Sequence, residues 1–309
     1  MNAAKTITRR ANHGSCRSSK RIAKRIIQIA LLCALATGFA SLCGAAEQNK
    51  EVRSVTVKGS DTMTPLTTVW AETFGKTNPS INVSVTGGGS GTGIAALLNG
   101  TTTIAMASRE ISEKETKDAA GKSIKPTATI VANDGIPVIV NPKNPIGALT
   151  LEQIRKIFTG EITNWKEVGG PDQPIYVFSR ESSSGTYIFF QEHVLQKKDY
   201  SPKARFLPTH SAIIQEVSSN PLAIGYAGLG HAAAAKGRIK VLKVKKDEKS
   251  EAVAPSIETV NNGTYSIARP LYFYTNNDPR GSAKAFVDFC LSPEGQKIVE
   301  EQGLVPLKK

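Results

Sequence analysis

From residue 52 onward the chain switches repeatedly between two hydrophobic periods. Val52, Val55 and Val57 are set among polar residues and predict a strand, and Leu66, Val69, Trp70 and Phe74 then recur at helical spacing. INVSVT predicts a second strand, IAALL opens a second helix and TIAMAS predicts a third strand. Short strands alternating with helices predict an α/β fold built on open parallel sheets.

A second block of the same kind begins near IPVIVN (136–141) and continues with TLEQIRKIF, in which Thr150 and Gln153 fit a capping box. Strand IYVF, helix YIFFQEHVL, strand LAIGYA and the segment IKVLKV follow. LYFY (271–274) predicts a further strand, before helices SAKAFVDFCL and SPEGQKIVEEQG, the latter with Ser292 as N-cap and Pro293 at the first helical position. The pattern therefore predicts two α/β lobes, without internal repeats.

The first 46 residues break this rhythm. They hold Lys5, Arg9, Arg10, Arg17, Lys20, Arg21, Lys24 and Arg25 with no acid, then the apolar run 26–40, then small residues up to Ala46. That is the layout of a cleaved signal peptide, and it predicts export to the periplasm. Cys43 as a lipid anchor is the weaker alternative, because bulky Leu42 precedes it. Losing the eight leader charges takes the formal net charge from +13 to +5. A mildly basic mature chain argues against a nucleic-acid surface. Cys16, Cys33 and Cys43 leave with the leader, so Cys290, inside AFVDFCL, is expected to be a buried structural thiol.

The candidate chemistry sits where strands hand over to helices. Gly87–Gly93, GGGSGTG, lacks the Lys-Ser/Thr ending of a phosphate-binding P-loop, since Ile94 and Ala95 stand there. Gly91 to Ala96 fits a GxGxxA dinucleotide fingerprint with Glu110 downstream, but this lies in the second βα unit and Arg109 crowds the acid. A bare turn with an N-cap and a seat for a free anion both remain open on this run alone. Two further runs, GSDTMTP (59–65) and SRESSSGTY (179–187), share the chemistry and the setting. Three such junctions point to one oxyanion in a cleft between lobes, with Arg180 as its planar cation.

Together GSDTM, GGGSGTG, IAMASRE, ITNW, SRESSSGT and AIGYAGLG resemble the phosphate-binding proteins of bacterial phosphate ABC importers, over essentially all of residues 52–307. The resemblance implies a two-lobed, type II periplasmic binding protein fold with the ligand in the inter-lobe cleft. It implies a first lobe of residues 47–135 and 268–309 and a second of 136–267. Carried over by motif, the phosphate contacts fall on Thr62, Ser90, Arg180, Ser184, Gly185 and Thr186, with Ser60, Gly91 and Ser108 beside them. Some members have an Asp where Arg109 stands, which accepts the proton of hydrogen phosphate and so rejects sulfate. Asp61 is the expected replacement, while Arg109 adds a second cation or pairs with a neighbouring acid. Ser182 also stands where some relatives have Asp, and Asp134, at the crossing between lobes, is expected to be structural.

The expected function is thus capture of inorganic phosphate by a monomer outside the cytoplasmic membrane, for delivery to an ABC permease, without cofactor, metal or nucleic acid. Sulfate or a tungstate-like oxyanion is the alternative ligand. A hydrolase built on Ser184 and His193 is disfavoured by the lack of a GxSxG elbow, and no Cys or His pair has zinc spacing.

Overall fold

The computed structural model describes residues 53–308, so the expected signal peptide and its three cysteines lie outside the described residues. The chain starts with β1 (Arg53–Gly59), α1 (Thr64–Thr77), β2 (Ile81–Thr86), α2 (Ser90–Leu98), β3 (Ile104–Ala107), α3 (Glu113–Gly121) and β4 (Pro126–Gly135). It continues with β5 (Val138–Val140), β6 (Ala148–Thr150), α4 (Leu151–Thr159), β7 (Tyr176–Arg180), α5 (Gly185–Phe189), β8 (Arg205–Leu207), α6 (His210–Ser219), β9 (Ala223–Tyr226) and α7 (Leu229–Ala234). After β10 (Lys240–Val241), β11 (Lys243–Lys245) and α8 (Ile257–Asn261), the chain returns through β12 (Ala268–Asn276), α9 (Gly281–Leu291) and α10 (Pro293–Glu301).

Two five-stranded sheets result, ordered β2-β1-β3-β12-β4 and β10-β5-β9-β7-β8. They are mixed rather than parallel as expected. β12 runs antiparallel to both β3 and β4, and β5 runs antiparallel to β9 and β10. The physical reason is the double crossing. Ala268 pairs with Gly135, so the returning strand enters the first sheet beside the one that left it and points the other way. Ile136 N–H donates to Ile267 O at 2.8 Å, which holds the two crossings side by side.

Each lobe has its own apolar core. In the first, Trp70 meets the edge of Phe273 and Phe74 meets the edge of Phe286, which seals α9 against α1. The Trp70 indole N–H donates to Gly295 O at 2.8 Å. In the second, Phe190 stacks on Tyr226 and Phe158 packs at a tilt against both, in the same core as Trp165. Burying aromatic faces of this size contributes roughly 2–3 kcal/mol each. Cys290 is fully buried and its thiol is pushed well up by desolvation, as expected of a packing residue.

The caps at Thr150 and Ser292 form as the pattern predicts, Thr150 with the full Gln153 box. YIFFQEHVL instead splits into α5 and a π turn, Phe190–Val194, and IKVLKV divides between two sheets.

Candidate functional site

The three hydroxyl-rich junctions converge where the lobes face each other. Gly59, at φ +142, ends β1 so tightly against β3 that a β-carbon would stand 2.2 Å from Met106 O. The chain then turns through Ser60, Asp61 and Thr62 into α1. Gly93 has a related role, because a β-carbon there would sit 2.3 Å from Lys58 O. Its absence lets α2 lie against β1 and brings Ser90 to the mouth of the sheet.

Ser60, Thr62, Ser90 and Ser108 from the first lobe are all buried, as are Arg180, Ser184 and Thr186 from the second. Ser108 Oγ is the hub of the first set, 3.0 Å from Ser60 Oγ and 3.2 Å from Ser90 Oγ. Ser184 caps α5, its Oγ accepting from Thr186 N–H at 3.2 Å. Thr62 Oγ1 and Thr186 Oγ1 meet across the lobes at 3.2 Å. A β-carbon on Gly185 would lie 2.3 Å from Ser90 Oγ, so only glycine lets the lobes approach this closely. Helices α1, α2, α5 and α6, which open here, carry no acid in their first turns, whereas α3, α4, α8 and α10 do. Their positive ends remain available to an anion.

Charge enters through two buried guanidiniums. Arg180, at the end of β7, donates from Nη2 to Asp61 Oδ2 at 2.5 Å and to Pro208 O at 2.6 Å. Its backbone N–H donates to Tyr226 Oη, which also bonds Ser179 Oγ at 2.7 Å. Arg269, from the return strand β12, escaped the sequence reading. Its Nη1 donates to Ser108 O at 2.7 Å and its Nη2 lies 2.8 Å from Thr186 Oγ1, 3.3 Å from Thr62 Oγ1 and 3.2 Å from Asp134 Oδ2. Burial pushes the Asp134 carboxyl up, opposed by the adjacent Arg269.

His210, the first residue of α6, was also missed. Its Nε2 lies 2.9 Å from Thr62 Oγ1, and its ring centroid lies 4.8 Å from that of His231. Complete burial beside Arg180, His231 and Arg269 drives its pKa well down, so the ring is neutral near pH 7. Burial and Arg180 bring His231 to about 4. Arg180 Nε, Arg269 Nε and His210 Nδ1 are buried with no hydrogen-bond partner in the protein. An unmet buried donor costs about 1–3 kcal/mol, and three in one cluster suit a ligand with several acceptors.

Several candidates lie elsewhere or have other partners. Arg109 forms a two-pronged bond to Glu115, at 2.8 Å on each side, so of its two expected roles it takes the acid pairing. Ser182 is exposed, outside the cluster, because the turn at the tip of SRESSSGT directs Ser183 to the other lobe. Gly91 N–H donates to Ser183 O at 3.0 Å, so it clasps the lobes and is not a free donor. That carbonyl also covers the loop where a dinucleotide pyrophosphate would lie. Asp61 has both oxygens engaged, with Gly88 N–H 3.1 Å from Oδ1 and Arg180 on Oδ2. This is the geometry of a counter-ion that orients a guanidinium.

A family model described as the PBP superfamily domain matches residues 44–294. A Pseudomonas aeruginosa protein named phosphate-binding protein PstS is 34% identical over 266 residues, covering 81% of each chain. The chain belongs to the phosphate-binding proteins of bacterial phosphate ABC importers. Among solved members of this family, a phosphate ABC transporter substrate-binding protein of Clostridium perfringens with bound phosphate is 34% identical, with a TM-score of 0.75, and aligns with 83% of this chain and all of its own. An ABC-type phosphate transport receptor of Vibrio cholerae is 31% identical, with a TM-score of 0.67, over 82% of this chain and all of its own. These matches extend across both lobes, so the type II periplasmic binding architecture holds for the whole described chain.

Proposed function

We propose that this protein is an extracytoplasmic receptor that encloses one inorganic phosphate between its lobes and delivers it to an ABC permease. The observation that carries the reading is the buried inter-lobe cluster of Thr62, Ser90, Ser184 and Thr186 with Arg180. Hydroxyls, helix N-termini and a guanidinium converge there, and several buried donors lack partners within the protein. A tetrahedral dianion removed from water needs each oxygen satisfied, and such a cluster supplies donors from both lobes. The relatives' names and the bound phosphate in the Clostridium perfringens protein support phosphate as that anion.

Ser60 and Ser108 support Ser90 from behind, Gly185 permits closure, and Asp61 orients Arg180. The protein binds its ligand and releases it unchanged, working as a monomer exported by its leader. Among the described residues no helix is long and apolar enough to cross a membrane. Retention of radiolabelled phosphate by the chain from residue 47 tests this reading against Arg180→Ala and the double variant Ser184→Ala, Thr186→Val. The parent should retain one equivalent and both variants almost none; equal retention by all three would overturn it.

A further inference from the structure

Hydrogen phosphate carries a proton that sulfate lacks, and Arg109, a pure donor tied to Glu115, offers it no acceptor. Some other group must accept that proton if phosphate is to be told from sulfate. We propose that Thr62 and His210 together form this acceptor, with the Thr62 hydroxyl accepting a hydrogen bond from the P–OH while donating one to His210 Nε2. The inference rests on the reading of the cleft as a phosphate seat.

The count of donors leads to it. Arg269 Nη2 reaches the hydroxyl oxygens of both Thr62 and Thr186, and a guanidinium can only donate. The two hydrogens of Nη2 are shared among these hydroxyls and Asp134 Oδ2, so each hydroxyl turns a lone pair toward the guanidinium and places its own proton elsewhere. The hydroxyls stand 3.2 Å apart, so one can donate to the other, but the last proton in that chain still needs an acceptor. His210 Nε2 lies within reach of both, 2.9 Å from Thr62 Oγ1 and 3.4 Å from Thr186 Oγ1. The ring is confined by Arg180, Arg269 and His231, and Asp61 and Asp134 are already paired with the two arginines. A neutral imidazole keeps one nitrogen bare. With Nε2 bare, Thr62 donates to it, accepts from Arg269 and turns its remaining lone pair toward the ligand. Thr186 keeps its proton for a phosphate oxygen. The P–O–H bond stays intact throughout.

Sulfate has no proton to offer that lone pair. To bind, it requires Thr62 to rotate and donate, which forces the imidazole proton from Nδ1 onto Nε2. Because the pair is neutral, it discriminates less sharply than a carboxylate. It also adapts to either protonation state of phosphate without changing net charge.

The test is competition calorimetry with phosphate and sulfate on the anion-stripped chain from residue 47, for the parent, His210→Phe and His210→Gln. His210→Phe should reduce the phosphate-over-sulfate preference at least about tenfold, the weight of one hydrogen bond to a charged group. His210→Gln, whose amide can still accept, should restore most of it. An undiminished preference in His210→Phe, or no recovery in a folded His210→Gln, would overturn the assignment. Nitrogen-15 NMR of the histidines in the parent gives an independent reading should a variant fail to fold. His210 Nε2 should be unprotonated with phosphate and protonated with sulfate, and a protonated Nε2 with phosphate would refute the scheme. If the parent binds no phosphate, it is the receptor reading that fails.

Discussion

Gly185 packs its bare α-carbon against the hydroxyl of Ser90, from the opposite lobe, so closely that a β-carbon would stand 2.3 Å from Ser90 Oγ and 2.8 Å from Ser108 Oγ. Closure of the cleft therefore depends on the missing side chain of one residue. Gly185→Ala should hold the lobes apart and weaken phosphate binding at least about a hundredfold. Parting the lobes relieves this clash without disturbing either core, so the variant's thermal midpoint without phosphate should stay within about 2 °C of the parent. Calorimetric titration and thermal unfolding on the same preparation separate these effects.

Arg180 combines a charge with fixed donor directions to Asp61 and Pro208 O. A lysine keeps the charge but loses the planar fork. Arg180→Lys should weaken phosphate binding at least about tenfold. Affinity equal to the parent's would mean that charge alone matters at this position.

The two ion pairs that flank the site should differ in weight. Arg269 and Asp134 are both almost wholly buried, with side chains 1% and 0% exposed. Asp134→Ala leaves a buried guanidinium uncompensated and should cost about 3–5 kcal/mol, lowering the thermal midpoint on the order of 10 °C. Arg109 and Glu115 form their pair nearer the rim. Arg109→Ala should cost about 1 kcal/mol and leave phosphate affinity within about twofold. A large loss of affinity in Arg109→Ala would revive its role as a second ligand cation.

Stability should respond to acid through the histidine pair. His210 and His231 are both harder to protonate in the folded chain, His231 with its pKa lowered to about 4. Below the unfolded value near 6.5, the unfolded chain binds more protons, so stability is full above that pH and falls as the pH drops toward 4. Chemical denaturation of ligand-free protein at pH 7, 6 and 5 should show this slope. His231→Gln, beside a crevice of about 340 Å³ that it lines with Thr62 and Lys236, should flatten it.

The sequence made the three glycine and hydroxyl junctions legible because each is local: a strand, a turn and a helix start within a dozen residues. Arg180 was readable for the same reason. Arg269 and His210 were not, because their roles arise only when segments 207 and 148 residues from Thr62 fold against it. A signal for Arg269 existed in SIARPLYFY, where a cation sits within an otherwise apolar strand. His210 follows the N-cap Thr209, and in one dimension it looks like an ordinary first-turn residue. The parallel-sheet expectation failed through the same kind of distance. Local periodicity sets the strand, but the direction of β12 depends on a chain that has already visited the second lobe.

A cleft that closes on a single phosphate has a stoichiometric signature, readable by isothermal titration of the chain from residue 47 stripped of anion. One phosphate per chain should bind, more tightly than sulfate, with the heat abolished in Arg180→Ala. No phosphate binding, or binding that survives unchanged in Arg180→Ala, would refute the receptor reading.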